Sequence, residues 1–221
     1  MSFQIAIDGP AGAGKSTVAK RVAAELGFIY VDTGAMYRAM GLYFLDNGVD
    51  TDDEAAVNAS LDGAEVTLEI VDGNQVVFLN GKDVNGRIRT EEAGMMASKT
   101  SAYAENRKKL VAMQQKIAAS QNVVMDGRDI GTVVLPDAPL KIYLTASTRT
   151  RAERRYKELL EKGQEADLAA IEKDIEQRDY QDMHREHSPL RRADDAVLVD
   201  SSDLNIDEVV QKIVTYAKEK M

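Results

Sequence analysis

The feature that most constrains this chain is a glycine-rich loop of the form G-x-x-x-x-G-K-[ST], which follows directly on an apolar run. The loop reads Gly9-Pro10-Ala11-Gly12-Ala13-Gly14-Lys15-Ser16. Residues 3–7 before it alternate as in a short buried strand, and residues 17–26 after it repeat apolar side chains at helical spacing. A strand, a glycine loop and a helix in this order form the context in which the pattern binds phosphate.

This loop predicts a site for a nucleoside triphosphate. Glycines let the backbone wrap a phosphate, so that amide N–H groups and the helix N-terminus point at the negative charge. Lys15 can then reach the β- and γ-phosphates, and the Ser16 hydroxyl can bind Mg²⁺. We predict that the nucleotide is held by Gly9, Pro10, Ala11, Gly12, Ala13, Gly14, Lys15, Ser16 and Thr17, with Ser16 as the metal ligand.

Composition excludes several other classes of protein. The chain has 221 residues, of which 44% are hydrophobic and 29% are charged, which suits one ordinary α/β domain. It has no cysteine, and therefore no disulfide or thiolate metal site. A formal net charge of −9 argues against a nucleic-acid-binding surface. Without a signal peptide or a membrane-length apolar run, we expect a cytoplasmic protein with no membrane partner. We also expect it to be a monomer.

Short apolar strands alternate with helices along most of the chain. We predict strands at 3–7, 28–31, 122–125, 140–144 and 196–199. We predict helices at 17–26, 35–47, 90–120 with a break near Tyr103, 149–162, 168–186 and 206–220. Residues 50–61 are predicted to form a loop that leads into a short helix. This alternation is typical of a parallel sheet covered by helices on both faces.

One segment departs from that alternation. Residues 65–71 alternate, Asp72-Gly73-Asn74 can turn, residues 75–79 return, and Asn80-Gly81 can form a second turn. We interpret this antiparallel hairpin as an inserted subdomain.

Polar residues follow three of the predicted strands. They are Asp8 with the glycine loop, Asp32-Thr33-Gly34 followed by Tyr37-Arg38, and Asp126-Gly127-Arg128-Asp129. In open α/β sheets, ligands bind beyond the carboxyl ends of the strands, so these groups are predicted to face one substrate. Arginines and a lysine suit phosphoryl transfer, which needs alignment, charge neutralisation and exclusion of water.

The combination of motifs resembles the bacterial cytidylate kinases, within the nucleoside monophosphate kinase group. The resemblance rests on 7–16, Asp32-Thr33-Gly34-Ala35-Met36-Tyr37-Arg38, Ile88-Arg89-Thr90, 126–134, Arg151-Ala152-Glu153-Arg154-Arg155 and Arg178-Asp179. It implies ATP-dependent phosphorylation of CMP and dCMP with Mg²⁺. It also implies a core (1–35, 86–147, 188–221), a monophosphate-binding insertion (36–85, extending into the helices of 86–120) and a lid with flanking helices (148–187).

The same resemblance implies roles for individual residues. Arg38, Arg128 and Arg185 would contact the acceptor phosphate. Ser98, Arg107 and Asp129 would read the cytosine, Arg178 and Asp182 would hold the sugar, and Thr33 keeps a hydroxyl where similar sequences have serine. The lid arginines Arg151, Arg154 and Arg155 would meet the transferring phosphoryl group, together with Lys15 and Arg128.

Plainer interpretations stay open for some of these residues. Asp126 could lie near Mg²⁺ or could cap the turn that follows its strand, and Asp8 could simply hydrogen-bond the backbone of the glycine loop. The arginines of 149–155 could form one solvated helix face paired with glutamates. Ser101 competes with Ser98 for the base.

The glycine loop is also compatible with two other functions. One is another small-molecule P-loop kinase, such as one that acts on shikimate, gluconate or another nucleotide. The other is a regulatory GTPase, which would need an N-K-x-D motif that this sequence lacks.

Overall fold

The computed structural model describes residues 2–71 and 74–221, and the chain divides into two compact units. The first unit comprises Phe3–Phe28 and Asn122–Met221, and the second comprises Ile29–Gln121 together with Ser2. The three-part division into core, insertion and lid remains a prediction. No helix in these described ranges is both long enough and apolar enough to cross a membrane.

The first unit holds four strands and four helices among its described residues. These are β1 (Gln4–Asp8), α1 (Lys15–Leu26), β6 (Val123–Gly127), β7 (Leu140–Thr145), α6 (Thr148–Glu161), α7 (Leu168–His184), β8 (Val197–Asp200) and α8 (Ile206–Lys220). Strand β1 is central: Ile7 is paired in parallel with Asp126 of β6 and with Ile142 of β7. Including β2 (Ile29–Asp32), the sheet has the order β2-β6-β1-β7-β8, so the predicted parallel sheet flanked by helices is confirmed.

Apolar spacing explains why these elements form. Ile5 and Ile7 of β1 are fully buried, as expected for a central strand of a parallel sheet. Helix α8 buries one face, through Val209, Val210 and Ile213 among others, and it begins with a capping box between Asn205 and Glu208. Its packing partner is α1.

Two local features of the first unit differ from the prediction. Helix α7 ends at His184 rather than at residue 186, because the chain turns before Pro189 with Ser188 at a φ of 50°. Residues Ile130–Val134 form a short, wide helical turn that the sequence pattern did not indicate. This turn lies directly after Arg128 and Asp129, so it fixes where their backbone leaves β6.

Within the described part of the chain, the second unit contains β2, four α-helices, a single 3-10 turn at Leu61–Gly63 and a small antiparallel sheet. Its remaining elements are α2 (Thr33–Asp46), α3 (Glu54–Ser60), β3 (Val66–Val71), β4 (Asn74–Leu79), β5 (Lys82–Asp83), α4 (Glu91–Thr100) and α5 (Ala104–Ser120). The predicted hairpin is confirmed in β3 and β4, although Asp72 and Gly73 of its turn lie outside the described residues. The two-residue strand β5 was not predicted; it pairs with the end of β4.

Helices α2 and α4 pack closely in this unit. A Cβ on Gly41 would lie 3.0 Å from the backbone nitrogen of Ala97, so glycine allows the two helices to approach each other. The surrounding core includes the fully buried side chains of Phe44, Ile88 and Leu110. The predicted break near Tyr103 is confirmed, since α4 ends at Thr100 and α5 begins at Ala104.

Candidate active site

The glycine loop connects β1 to α1, and three of its glycines adopt positive φ. Gly9 has a φ of 152°, and a Cβ there would lie 1.9 Å from the carbonyl oxygen of Leu144. Gly14 has a φ of 82° and immediately precedes the first residue of α1. Both positions therefore require glycine. Ser16 and Thr17 lie exposed in the first turn of α1, where backbone N–H groups are available to an anion.

Lys15 is the loop's buried cation. Its Nζ donates a hydrogen bond to the carbonyl oxygen of Pro10 at 2.7 Å, so the side chain curls back over the loop. Burial, and secondarily the positive charge of Arg128, lowers the pKa of the Lys15 ammonium to about 7. Negative phosphate oxygens would stabilise the ammonium form that burial disfavours.

Ser16 contacts a carboxylate at the end of β6. Its hydroxyl donates to Oδ2 of Asp126 at 2.8 Å. A hydroxyl beside a carboxylate is the kind of oxygen donor set that Mg²⁺ uses together with phosphate and water oxygens. Within the described ranges there is no group of three or more His, Cys, Asp or Glu residues that could hold a metal ion.

Asp8 binds a different segment from the one expected. Its buried carboxylate accepts hydrogen bonds from the backbone N–H groups of Ile130 and Gly131, each at 2.7 Å, rather than from the glycine loop. Burial raises the pKa of this carboxyl to about 6, although the two amides act in the opposite direction. Asp8 thus ties the residue that precedes the loop to the turn that follows Arg128 and Asp129.

Four of the predicted acceptor residues meet in the first unit. Nε of Arg128 donates to Asp182 at 2.7 Å, and Arg185 lies 3.8 Å from Asp182 and 4.0 Å from Asp129. The charges alternate, so the carboxylates of Asp182 and Asp129 offset the repulsion between Arg128 and Arg185. Arg178 is about half exposed and lies 3.9 Å from Asp174, apart from this network.

The arginines of α6 divide into two kinds. Arg149 pairs with Glu153 and Glu172, and Arg155 pairs with Glu158, as in a solvated helix face. Arg151 is buried, and Arg154 donates to the carbonyl oxygen of Ser201 at 2.6 Å. The interpretation of one solvated face therefore holds for Arg149 and Arg155, and it is wrong for Arg151 and Arg154.

In the second unit, Thr33 and Arg38 lie on α2. The carboxylate of Asp32 caps this helix by accepting from the backbone N–H of Ala35 at 2.9 Å, and Arg89 donates to the same carboxylate at 3.1 Å. Thr33 is buried in the first turn, and Arg38 is half-buried. The sequence contained Asp32 and Arg89 within its motifs but gave no signal that they pair.

Ser98, Ser101 and Arg107 come from α4, the turn after it and α5. Ser98 is exposed, whereas the Ser101 hydroxyl donates to the carbonyl oxygen of Ser98 at 2.8 Å. Arg107 is buried, donates to the carbonyl oxygen of Ser101 at 3.0 Å, and lies 5.5 Å from the centre of the Tyr37 ring. The exposed hydroxyl favours Ser98 over Ser101 as the group that meets a base, and this choice stays a prediction.

Comparison with known proteins identifies similar chains. The family model described as cytidylate kinase matches residues 5–219. A cytidylate kinase from Lactobacillus johnsonii is 53% identical over 218 residues, which cover 99% of this chain and 95% of that protein. One from Caldicellulosiruptor bescii is 50% identical over 212 residues, covering 96% of this chain and 94% of that protein.

Solved structures of other kinases share the fold at much lower identity. A gluconokinase from Sinorhizobium meliloti has a TM-score of 0.51 at 15% identity, covering 98% of this chain and 92% of that one. A shikimate kinase from Bacteroides thetaiotaomicron has a TM-score of 0.51 at 14% identity, covering 98% of both chains.

Proposed function

This chain belongs to the cytidylate kinase family, and we propose that it transfers the terminal phosphoryl group of ATP directly to CMP or dCMP. The observation that carries the proposal is the pairing, within the first unit, of a complete phosphate loop with the network of Arg128, Asp182, Arg185 and Asp129. The phosphate loop supplies cationic and amide donors for the triphosphate. The network supplies the forked donors of arginine side chains for the acceptor phosphate.

On the donor side, the loop backbone and Lys15 bind the triphosphate. Lys15 moves from the carbonyl oxygen of Pro10 to phosphate oxygens, which gain the ammonium as a partner in a water-poor site. Arg154 and Arg155, on α6, are the further candidates for contact with the transferring group. The acceptor oxygen attacks in line, and no phosphoenzyme forms.

The oxygen pair of Ser16 and Asp126 fits a divalent cation. We propose that Ser16 holds Mg²⁺ and that Asp126 orients the Ser16 hydroxyl, which donates to it at 2.8 Å. A bound Mg²⁺ would neutralise charge on the β- and γ-phosphates.

On the acceptor side, the roles implied by family resemblance are proposals. Arg38, Arg128 and Arg185 bind the monophosphate, Arg178 and Asp182 hold the sugar, and Thr33 contributes its hydroxyl. Ser98, Arg107 and Asp129 read the base. Asp129 can accept from the exocyclic amine of cytosine, whereas uracil presents a carbonyl there and would oppose one acceptor to another. We further propose that the protein works as a cytoplasmic monomer.

A coupled assay of ADP formation tests this function directly. Wild-type protein with Mg·ATP is offered CMP, dCMP, UMP, AMP, shikimate and gluconate at equal concentrations. Turnover of CMP and dCMP well above that of the others is expected, and preferential turnover of shikimate or gluconate would contradict the proposal. Asp129→Asn should reduce the preference for CMP over UMP by about tenfold or more, and an unchanged preference would remove Asp129 from base recognition.

A further inference from the structure

Arg151 differs from its neighbours on α6 because its charge is buried. Only 5% of its side chain is exposed, compared with 56% for Arg149 and 48% for Arg155. A buried guanidinium is tolerated only when its donors are satisfied and its charge is balanced.

The guanidinium of Arg151 satisfies both conditions within the first unit. Nε donates to the carbonyl oxygen of Ala146 at 2.9 Å, Nη2 donates to Oγ1 of Thr148 at 3.2 Å, and Nη1 donates to the carbonyl oxygen of Ala11 at 2.9 Å. Nη1 also lies 2.7 Å from Oδ2 of Asp179 on α7, which supplies the balancing charge.

The contact with Ala11 reaches the glycine loop itself. In a trans peptide the carbonyl and the following N–H point in opposite directions, and the described chain has no cis peptide bond. Holding the carbonyl oxygen of Ala11 toward Arg151 therefore turns the N–H of Gly12 away from Arg151. Gly12 has a φ of 74°, a region that glycine enters freely, so the contact with Arg151 restricts a peptide whose rotation glycine leaves less constrained.

We propose that Asp179 and Arg151 are positioning residues for the donor loop. Asp179 holds the guanidinium, and the guanidinium orients the Ala11–Gly12 peptide so that its N–H is presented to the donor phosphates. This role replaces the contact between Arg151 and the transferring phosphoryl group that family resemblance implies, and it assigns a role to Asp179. The inference deepens the proposed function and rests on its donor site, but not on the identity of the acceptor.

Two conservative variants test the positioning role of Asp179 and Arg151. Asp179→Asn keeps the shape but removes the charge, and Arg151→Lys keeps the charge but cannot make all the contacts of the fork. Calorimetric titration with ATP in the absence of acceptor should show about a tenfold rise in Kd for each variant, the scale expected for loss of one charge-assisted hydrogen bond. The matched control is Arg149→Ala, on the exposed face of the same helix, which should leave the Kd unchanged.

Steady-state kinetics separate positioning from direct catalysis. For both variants KM for ATP should rise while KM for CMP stays within about twofold. The double variant should be no worse than Arg151→Lys alone, because the two residues act through one contact. A thermal melt accompanies each protein. A lowered Tm with unchanged ATP affinity would indicate a purely structural pair and overturn the proposal.

Other results would also overturn it. If kcat of Arg151→Lys collapses while its KM for ATP is unchanged, Arg151 contacts the transferring group instead.

The test remains possible if a variant does not fold. If one variant fails to fold, the Kd for ATP of the other variant decides whether the proposal holds. If neither folds, Thr148→Val, which removes one donor contact, decides by whether the Kd rises. ATP binding is measured without acceptor. Weakened ATP binding by the variants of a protein that does not phosphorylate CMP would therefore refute the proposed function and still support the positioning role of Asp179 and Arg151.

Discussion

The glycine loop of the first unit and the candidate acceptor residues of the second unit are built in opposite ways. The loop is a contiguous run, Gly9 to Ser16, whose conformation depends on positive φ at three glycines. The acceptor candidates Thr33, Arg38, Ser98 and Arg107 are side chains carried by three helices. A backbone site can be recognised from adjacent letters, whereas a side-chain site depends on how separate elements pack. The two should also respond differently to substitution.

The largest effect is expected at Lys15. Lys15→Met retains an unbranched buried side chain but removes the ammonium, so kcat should fall by about 10³-fold, at the upper end of what loss of one charged donor costs. The measurement is ADP release with saturating ATP and CMP, alongside a circular dichroism spectrum that matches wild type. A loss of less than about tenfold would contradict the assigned role.

Ser16→Ala probes the hydroxyl that donates to Asp126. Activity should fall by about 10²-fold at millimolar Mg²⁺ and should recover in part as Mg²⁺ is raised, because one metal ligand is missing. KM for CMP should change little. Titration of the rate against Mg²⁺ concentration checks this, and a Mg²⁺ dependence identical to wild type would place the ion elsewhere.

Arg38→Ala should impair binding of the acceptor and leave binding of the donor nearly unchanged. KM for CMP should rise by about 10- to 100-fold, as expected when one bidentate phosphate contact is lost, while the Kd for ATP stays within about twofold. KM for CMP and the Kd for ATP are measured in the same preparation. An equal rise in both constants would contradict the separation of donor and acceptor residues.

The depressed pKa of Lys15 predicts a pH effect on donor binding. Burial lowers this pKa to about 7, so above that pH the free protein loses the ammonium that phosphate needs. We expect kcat/KM for ATP to fall about tenfold per pH unit above pH 7, since this ratio reports groups of the free enzyme. Asp8, with a pKa of about 6, is already ionised in this range.

Lys15→Arg serves as the control for that profile. Arginine stays protonated across the same range, so its profile above pH 7 should be flat even if its absolute rate is lower. A wild-type profile without a fall between pH 7 and pH 9 would show that Lys15 keeps its ordinary pKa.

The smallest effect is expected at Arg149. It is exposed and pairs with Glu153 and Glu172, an arrangement that typically contributes little to stability. Arg149→Ala should therefore leave kcat and both KM values within about twofold of wild type. A larger loss would mean that Arg149 itself takes part in the reaction.

Features that depend on neighbouring residues could be predicted from the sequence, whereas features that depend on packing between distant elements could not. The loop, the alternation of strands and helices, and the hairpin of β3 and β4 depend on neighbouring residues, and they were predicted. The turn at Ile130–Val134 was missed because its first amides are held by Asp8, 122 positions away from Ile130. Strand β5 was missed because two exposed residues carry no alternation.

The candidate site shows the same division. The sequence contained Arg151 and Asp179, but their ion pair joins two helices, and nothing in the spacing of either helix indicates it. The pairing of Arg128 with Asp182 likewise joins the end of β6 to α7. Such side chains were found through family resemblance, and their partners became visible only in the folded chain.

The approach of Gly9 to the carbonyl oxygen of Leu144 has a consequence for biosynthesis. The loop lies at residues 9–16, yet the strands on either side of β1 begin at Val123 and Leu140. A ribosome must therefore synthesise the residues between the loop and Leu140 before both strands that flank β1 exist. Closing such a long span is entropically unfavourable and slow. We expect a nascent chain that ends before β7 to carry the complete motif but to lack the Leu144 backbone that lies against Gly9.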